Sequence, residues 1–328
     1  MNLPINQIIC GSALDILKTL PDECIDSCIT SPPYFNLRDY CIEGQIGLEP
    51  TYQEFIFKLC DIFDEVKRVL KKTGTCFVNL GDSYASIGKT SGDIDGDEGM
   101  DIERGRSRIK KGTYPEKCLI LIPERFAIEM INRGWILRNK IPWIKPNAMP
   151  ESVQDRWKKA HEYIFFFVKS KSYYFNLDAI RTPHKQVSIN RAEYELGRNA
   201  MGLNPSSMGK KYGRDKNNKD ALDKYASMPA RQVKLNPLGA CPPDYFIVNT
   251  NCSEDDTQKK HYATYPKALI TPLVRAGCPD GGIVLDCFAG TSTTAVVARH
   301  FNKQFVMIEL NPEYCEMGKD RLAQQSLI

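Results

Sequence analysis

Thr30-Ser31-Pro32-Pro33-Tyr34 puts two hydrogen-bond acceptors and an aromatic face within four residues of one another. Such a set suits one demanding task, making a nucleophile of an exocyclic amine on an aromatic base. The amine's lone pair is delocalised into its ring. A pocket must therefore accept both amine protons, so that the nitrogen becomes more sp³-like and aims its lone pair outward. The Ser31 hydroxyl and the Pro32 carbonyl can be those acceptors, because Pro32 and Pro33 fix φ and hold the carbonyls rigid. Tyr34 offers a flat surface for base stacking, worth about 1–3 kcal/mol in single-strand binders. A plain Pro-Pro turn at a strand end is the competing reading.

A second set lies near the other end of the chain, Leu285-Asp286-Cys287-Phe288-Ala289-Gly290-Thr291-Ser292-Thr293-Thr294, with Glu309 23 residues after Asp286. A strand, a tight turn, a helix and an acidic strand end is how a doubly wound sheet holds a nucleoside. Small residues let the backbone approach the ligand, and the carboxylate accepts from both ribose hydroxyls. The same residues also read as an ordinary strand-to-helix turn of any α/β protein. No Gly-x-x-x-x-Gly-Lys-Ser/Thr occurs, which argues against a nucleoside triphosphate.

Positioning these residues requires alternating strands and helices. Ser12 opens a short helix bearing Leu14, Leu17 and Leu20, and Cys24 to Thr30 reads as a buried strand that the prolines end. Thr51-Tyr52-Gln53-Glu54 fits a capping box before a helix whose apolar face carries Phe55, Leu59, Ile62, Phe63, Val66 and Leu70, with Gly74 as its stop. Strands are expected over Cys76 to Leu80, Trp135 to Ile144, Glu162 to Lys169, Ile283 to Cys287 and Gln304 to Glu309. Helices are expected over Pro123 to Asn132, Pro266 to Ala276 and Thr293 to Phe301, with a last one capped by Asn311-Pro312. The alternation predicts an α/β fold with a doubly wound, mostly parallel sheet.

The 328 residues are 42% hydrophobic and 26% charged, the balance of a soluble enzyme rather than a disordered or fibrous chain. Apolar runs such as Tyr163 to Val168 are too short to span a bilayer, and no leader pattern opens the chain. Twelve cysteines lie scattered without Cys-x-x-Cys and the four histidines sit far apart, so we expect reduced thiols in a cytoplasm and no metal site. Net charge is +4, yet Arg181 to Lys234 carries twelve basic and five acidic residues, a local +7. That segment reads either as a solvated insertion or as a polyanion-binding face. Residues 86 to 114 read as an exposed loop, acidic in its first half and basic in its second.

The two motifs, in this order around a basic insertion, resemble the β-class DNA amino-methyltransferases, bacterial and phage enzymes that make N4-methylcytosine or N6-methyladenine. Matching stretches are Val78 to Ser83, Trp143 to Asn147, His161 to Phe165 and His261 to Pro266. The resemblance implies the permuted S-adenosylmethionine-dependent methyltransferase fold, with a catalytic half at 1–182, a target-recognition insertion at 183–240 and a cofactor-binding half at 241–328. It implies S-adenosyl-L-methionine held by Gly11, Tyr265, Pro266, Asp286, Phe288, Ala289, Gly290, Thr291, Ser292, Thr293, Thr294, Glu309 and Asn311. Ser31, Pro32, Pro33 and Tyr34 are then catalytic, acting on a base flipped from double-stranded DNA. Lys210, Lys211, Arg214 and Arg231 are the expected DNA contacts. A companion restriction endonuclease would complete a restriction-modification system.

Serine at the first motif position goes in that family mostly with cytosine N4, aspartate mostly with adenine N6. N6-adenine methylation remains the alternative, followed by an inactive DNA-binding relative, an RNA amino-methyltransferase and, last, a nicotinamide oxidoreductase. Three departures stand out. Cys287 replaces the usual proline, Ser292 the second glycine, and Ser12 the aspartate of an early Gly-Asp pair that helps hold the cofactor adenine. If Ser292 takes φ > 0 it costs about 1 kcal/mol. No covalent intermediate is expected, so the cysteines need no nucleophilic role. Asp82 reads as a positioning partner or a solvated turn residue, and His161 and Glu162 as residues that orient the following strand.

Overall fold

The structure, a computed structural model, describes residues 3–85, 114–192, 235–250 and 265–324. Its strands are β1 (Gln7–Cys10), β2 (Ile25–Thr30), β3 (Leu70–Leu80), β4 (Ile136–Ile144), β5 (His161–Val168), β6 (Phe246–Ile247), β7 (Ile283–Asp286) and β8 (Gln304–Glu309). They form one sheet in the order β1-β8-β7-β2-β3-β5-β4-β6. Among these strands only β5 runs antiparallel to its neighbours, β3 and β4. The helices are α1 (Ala13–Thr19), α2 (Tyr52–Val69), α3 (Ile122–Asn132), α4 (Lys267–Gly277), α5 (Thr293–His300) and α6 (Pro312–Gln324).

Period-2 alternation in β5 sends side chains to two cores, one on each face of the sheet. Phe165 and Phe167 join Leu17, Phe55, Leu59, Phe63 and Phe126 beneath α1, α2 and α3. Ile164, Phe166 and Val168 join Phe77, Leu269, Val274 and Val297 beneath α4 and α5. The sheet is thus doubly wound and mostly parallel, as the element pattern predicts.

Local expectations meet two corrections. The Thr51 hydroxyl accepts from the Glu54 N–H at 3.2 Å, but the Glu54 carboxylate lies 3.1 Å from that hydroxyl instead of reaching back to the Thr51 N–H. Half of the capping box is realised. The following helix ends at Val69, not at Gly74, and the chain passes directly into β3. Gly74 sits at the register shift between β2 and β3, where a Cβ would lie 3.2 Å from the Asp26 carbonyl. Strands β1 and β6 have no counterpart in the sequence reading. Both are short and partly exposed, so neither writes an apolar run.

The chain divides into two compact units, Met1–Ala179 with Pro243–Ile328, and Ile180–Pro242. In the second, Thr182 and Ala240 exchange backbone hydrogen bonds at 3.1 and 2.8 Å, so the two ends of the insertion are pinned together. Lys210, Lys211, Arg214 and Arg231 lie outside the described residues, as do residues 86–113. Among the described residues no helix is long and apolar enough to cross a membrane.

Candidate active site

Strands β2 and β7 are parallel neighbours, with Cys28 opposite Leu285. From β2 the chain continues to β3 on one side, and from β7 it continues to β8 on the other. Their carboxyl ends therefore flank a topological switch point, the crevice where open α/β sheets bind ligands. A cavity of about 640 Å³ opens there, within the usual span of small-molecule sites. Ser31, Pro32, Pro33 and Tyr34 line it from β2; Phe288, Ala289, Gly290 and Thr293 line it from the turn after β7. Gly11, Tyr265, Glu309 and Asn311 complete the cofactor-side lining.

Asp286, Thr291, Ser292, Thr294 and Pro266 are not on that lining; the first four stand behind it as supports. Asp286 is fully buried at the end of β7. Its Oδ1 accepts from the Thr30 hydroxyl at 2.6 Å and the Phe288 N–H at 3.1 Å. Its Oδ2 accepts from the Tyr265 and Thr294 hydroxyls at 2.7 and 2.6 Å. Burial raises its carboxyl above the usual range, and these donors offset part of that rise. The buried Arg321 guanidinium donates to the Thr291 carbonyl and hydroxyl at 2.6 and 3.0 Å, fixing the turn from α6.

Ser292 adopts φ 61° and ψ 40°, the left-handed conformation that glycine would take without strain. Its hydroxyl is buried without a hydrogen-bond partner. Gly318 on α6 packs over it, leaving a Cβ there only 2.6 Å from the Ser292 Oγ.

Glu309 is the cavity's cofactor-side carboxylate. Its Oε2 accepts from the Gly290 N–H at 2.7 Å and its Oε1 from the Asn311 N–H at 2.8 Å. Each oxygen keeps a lone pair for a further donor, and burial raises the carboxyl above its ordinary value. A nucleoside's vicinal hydroxyls match that pair of acceptors. The room, the carboxylate and the aromatic lining from Phe288, Tyr265 and Tyr314 fit S-adenosylmethionine.

On the catalytic side, residues absent from the sequence-derived site complete a network around Tyr34. The Tyr34 hydroxyl donates to the Glu162 Oε2 at 2.6 Å. The Asn79 amide donates to that hydroxyl at 2.8 Å, to the same carboxylate at 3.0 Å and, more weakly, to the Ser31 Oγ at 3.4 Å. Lys145 pairs with the other oxygen of Glu162 and lies 4.2 Å from the Trp143 ring centre. Burial and the Glu162 charge together push the Tyr34 phenol well above its ordinary value, so it stays protonated. A Cβ on Gly81 would lie 2.5 Å from the Tyr34 ring, so that glycine is what leaves room for the ring.

The signal for Asn79 and Glu162 was a polar residue inside or opening an otherwise apolar strand. Asp82 is half-buried on the cavity lining, and its carboxylate is engaged by backbone N–H groups rather than by Tyr34. Its carboxylate accepts from the N–H groups of Ser83, Leu121 and Ile122 at 2.8–3.2 Å and so caps α3, which helps to seat the cavity wall. His161 contacts the Tyr163 hydroxyl at 3.1 Å.

A permuted α/β sheet with a nucleoside-type turn and a Ser-Pro-Pro-Tyr edge on one crevice defines a methyltransferase of the amino-group class. A DNA methylase family profile matches residues 25–320. The Type II methyltransferase M.SmaI of Serratia marcescens is 34% identical over 328 residues, covering 99% of this chain and 93% of its own length. M.Cfr9I of Citrobacter freundii is 35% identical, covering 95% and 86%. In solved structures, the cytosine-N4-specific PvuII DNA methyltransferase shares the fold with a TM-score of 0.62 at 18% identity, covering 96% of this chain and 85% of its own. A putative DNA modification methylase from Thermus thermophilus, complexed with S-adenosyl-L-methionine, does so with 0.55 at 19%, covering 97% and 93%. This chain belongs to the DNA methylase family of S-adenosylmethionine-dependent N4-cytosine and N6-adenine amino-methyltransferases.

Proposed function

We propose that the chain methylates the exocyclic N4 amine of a cytosine flipped out of double-stranded DNA. The observation that carries this reading is the shared cavity, with Ser31 and Tyr34 on one wall and Gly290 and Glu309 on the other. S-adenosylmethionine, when bound, supplies an electrophilic methyl group on a sulfonium. Glu309 would accept from its ribose hydroxyls, and Phe288, Ala289 and Gly290 would form the neighbouring wall of its site.

The chain's own residues then make the nucleophile. Tyr34 stacks on the extruded base, whose unstacking costs a few kcal/mol. Ser31 Oγ and the Pro32 carbonyl accept the two amine protons, so the nitrogen lone pair faces the methyl group. After transfer of that methyl group the amine would carry one surplus proton, which Ser31 Oγ is placed to accept and relay to solvent. Positioning and electrostatics supply the catalysis, without a covalent enzyme intermediate.

Ser31, rather than aspartate, supports cytosine over adenine. Digesting treated DNA to nucleosides and identifying the methylated product tests this. N4-methylcytosine is expected; N6-methyladenine alone would overturn the base assignment and leave the reaction class standing.

The basic segment at 183–240 is the proposed target-recognition region. Charge reversal at Lys210, Lys211 and Arg214 should weaken DNA binding and flatten its salt dependence; unchanged binding would exclude them as phosphate contacts. A companion restriction endonuclease and a cytoplasmic setting belong to this reading, and the Type II methyltransferase names of the relatives fit the first of them.

A further inference from the structure

The loop between β4 and β5, residues 145–160, has a defined shape. Its ends meet where the Lys145 N–H donates to the Ala160 carbonyl at 2.8 Å. Arg156 is held by Glu151 at 2.7 Å and lies 4.0 Å from the Tyr84 ring centre. Lys159 donates to the Asp82 carbonyl at 2.7 Å and lines the cavity with Met149. From this braced loop Trp157 stands out at 94% exposure, the largest value among the exposed large hydrophobic side chains of the described residues.

The same ordered loop also exposes Met149 and Val153, and several large apolar side chains left in water on one loop mark a contact surface. Charge names the partner: Arg156, Lys158 and Lys159 flank Trp157 in sequence, and Lys158 and Lys159 are exposed. That combination of a flat aromatic with cations beside a cavity mouth fits a nucleic-acid duplex. Protein partners instead favour an aromatic anchor within a patch depleted of lysine.

We propose that Trp157 is the wedge that enters the DNA beside the target and stacks on the pair left exposed when the base moves into the cavity. Apolar wedges between base steps are a general means of unstacking a duplex. The inference rests on the DNA-methylating reading above and assigns it a residue for the extrusion step. Lys158, exposed beside the indole, would hold a neighbouring phosphate while Arg156 and Lys159 brace the loop and the indole replaces the lost stacking.

The test uses the full chain and a duplex carrying the site mapped by the nucleoside experiment. Trp135 is buried, at 2% exposure, and Trp143 lines the cavity, so the share of DNA-dependent indole quenching that Trp157→Phe removes is what reports Trp157. Quenching is expected in the parent chain and should be clearly smaller in Trp157→Phe. Trp157→Ala should bind the matched duplex roughly tenfold or more weakly, with unchanged melting temperature and S-adenosylmethionine affinity. On a duplex whose target base faces an abasic position, where little stacking is left to break, that loss should shrink to about threefold or less. Equal loss on both duplexes, or none on either, would overturn the wedge. A parent chain that methylates no DNA would instead overturn the underlying reading, so the two failures are distinguishable.

Discussion

The Thr30 hydroxyl donates to the Asp286 carboxylate across 2.6 Å, joining the ends of two neighbouring strands whose residues are 256 positions apart in the chain. Ser31 follows directly after the first, and the Phe288 to Gly290 turn begins two residues after the second. The bond ties the amine-accepting edge to the cofactor-side turn, although neither Thr30 nor Asp286 lines the cavity.

Removing that tie should therefore affect both sides at once. Thr30→Val leaves the shape and deletes one donor to a buried carboxylate, which should cost about 1–3 kcal/mol of stability. S-adenosylmethionine affinity and the methyl-transfer rate should fall together, and Thr30→Ser should restore both. Denaturant unfolding, calorimetry and a tritiated-methyl assay measure the three quantities.

Tyr34 and Glu162 separate stacking from orientation. Tyr34→Ala removes the surface on which the base lies, and should weaken productive DNA binding roughly fivefold to a hundredfold. Tyr34→Phe and Glu162→Gln keep a ring but loosen its hydroxyl anchor. Their loss should appear mainly in kcat, with KM for DNA nearly unchanged, and Glu162→Gln should be the larger because it also strands the charge of Lys145.

Gly81→Ala places a methyl 2.5 Å from the Tyr34 ring. Overpacking of this kind costs about 1–3 kcal/mol when the neighbour cannot yield. The ring must shift, so methyl transfer should drop by roughly tenfold or more while S-adenosylmethionine affinity holds. Steady-state kinetics beside a binding isotherm checks the separation.

Ser292→Gly should stabilise the chain by about 1 kcal/mol, because it relieves a left-handed serine and deletes an unpaired buried hydroxyl. A higher denaturant midpoint with an unchanged slope is the expected record. S-adenosylmethionine should bind at least as tightly as before.

Glu309 sets a pH dependence whose sign differs between binding and folding. Holding ribose hydroxyls needs the ionised carboxylate, and burial raises the pH at which it ionises. S-adenosylmethionine affinity should thus decline, as pH falls, before an ordinary carboxylate would protonate. Folding runs the other way: a raised carboxyl contributes most below its unfolded value and loses that contribution as pH climbs through the folded one. Glu309→Gln should flatten both profiles, measured by calorimetry and denaturant unfolding across the weakly acidic range.

Much of this was legible from the chain alone. Runs such as Ile283 to Asp286 and Tyr163 to Val168 announce buried strands because a sheet covered on both faces leaves no polar alternation. Ser31-Pro32-Pro33-Tyr34 and Phe288 to Gly290 could be named in advance because local backbone chemistry explains each residue type. Edge strand β1 could not, since four half-exposed residues carry no period, and the end of α2 at Val69 could not, since tertiary pairing with β2 captured Leu70 and left Gly74 to serve the register shift.

What the order of residues determined by itself is the set of chemical groups and the α/β alternation that must carry them, both encoded over short stretches. What only the tertiary structure decided is partnership. Asp286 is braced by Thr30, Tyr265 and Thr294, and Asn79, Lys145 and Glu162 came to hold Tyr34 from three separate strands or strand ends. Hydrogen bonds and ion pairs depend on distances of about 3 Å, and separation along the chain does not specify them until the sheet has fixed which strand ends are neighbours.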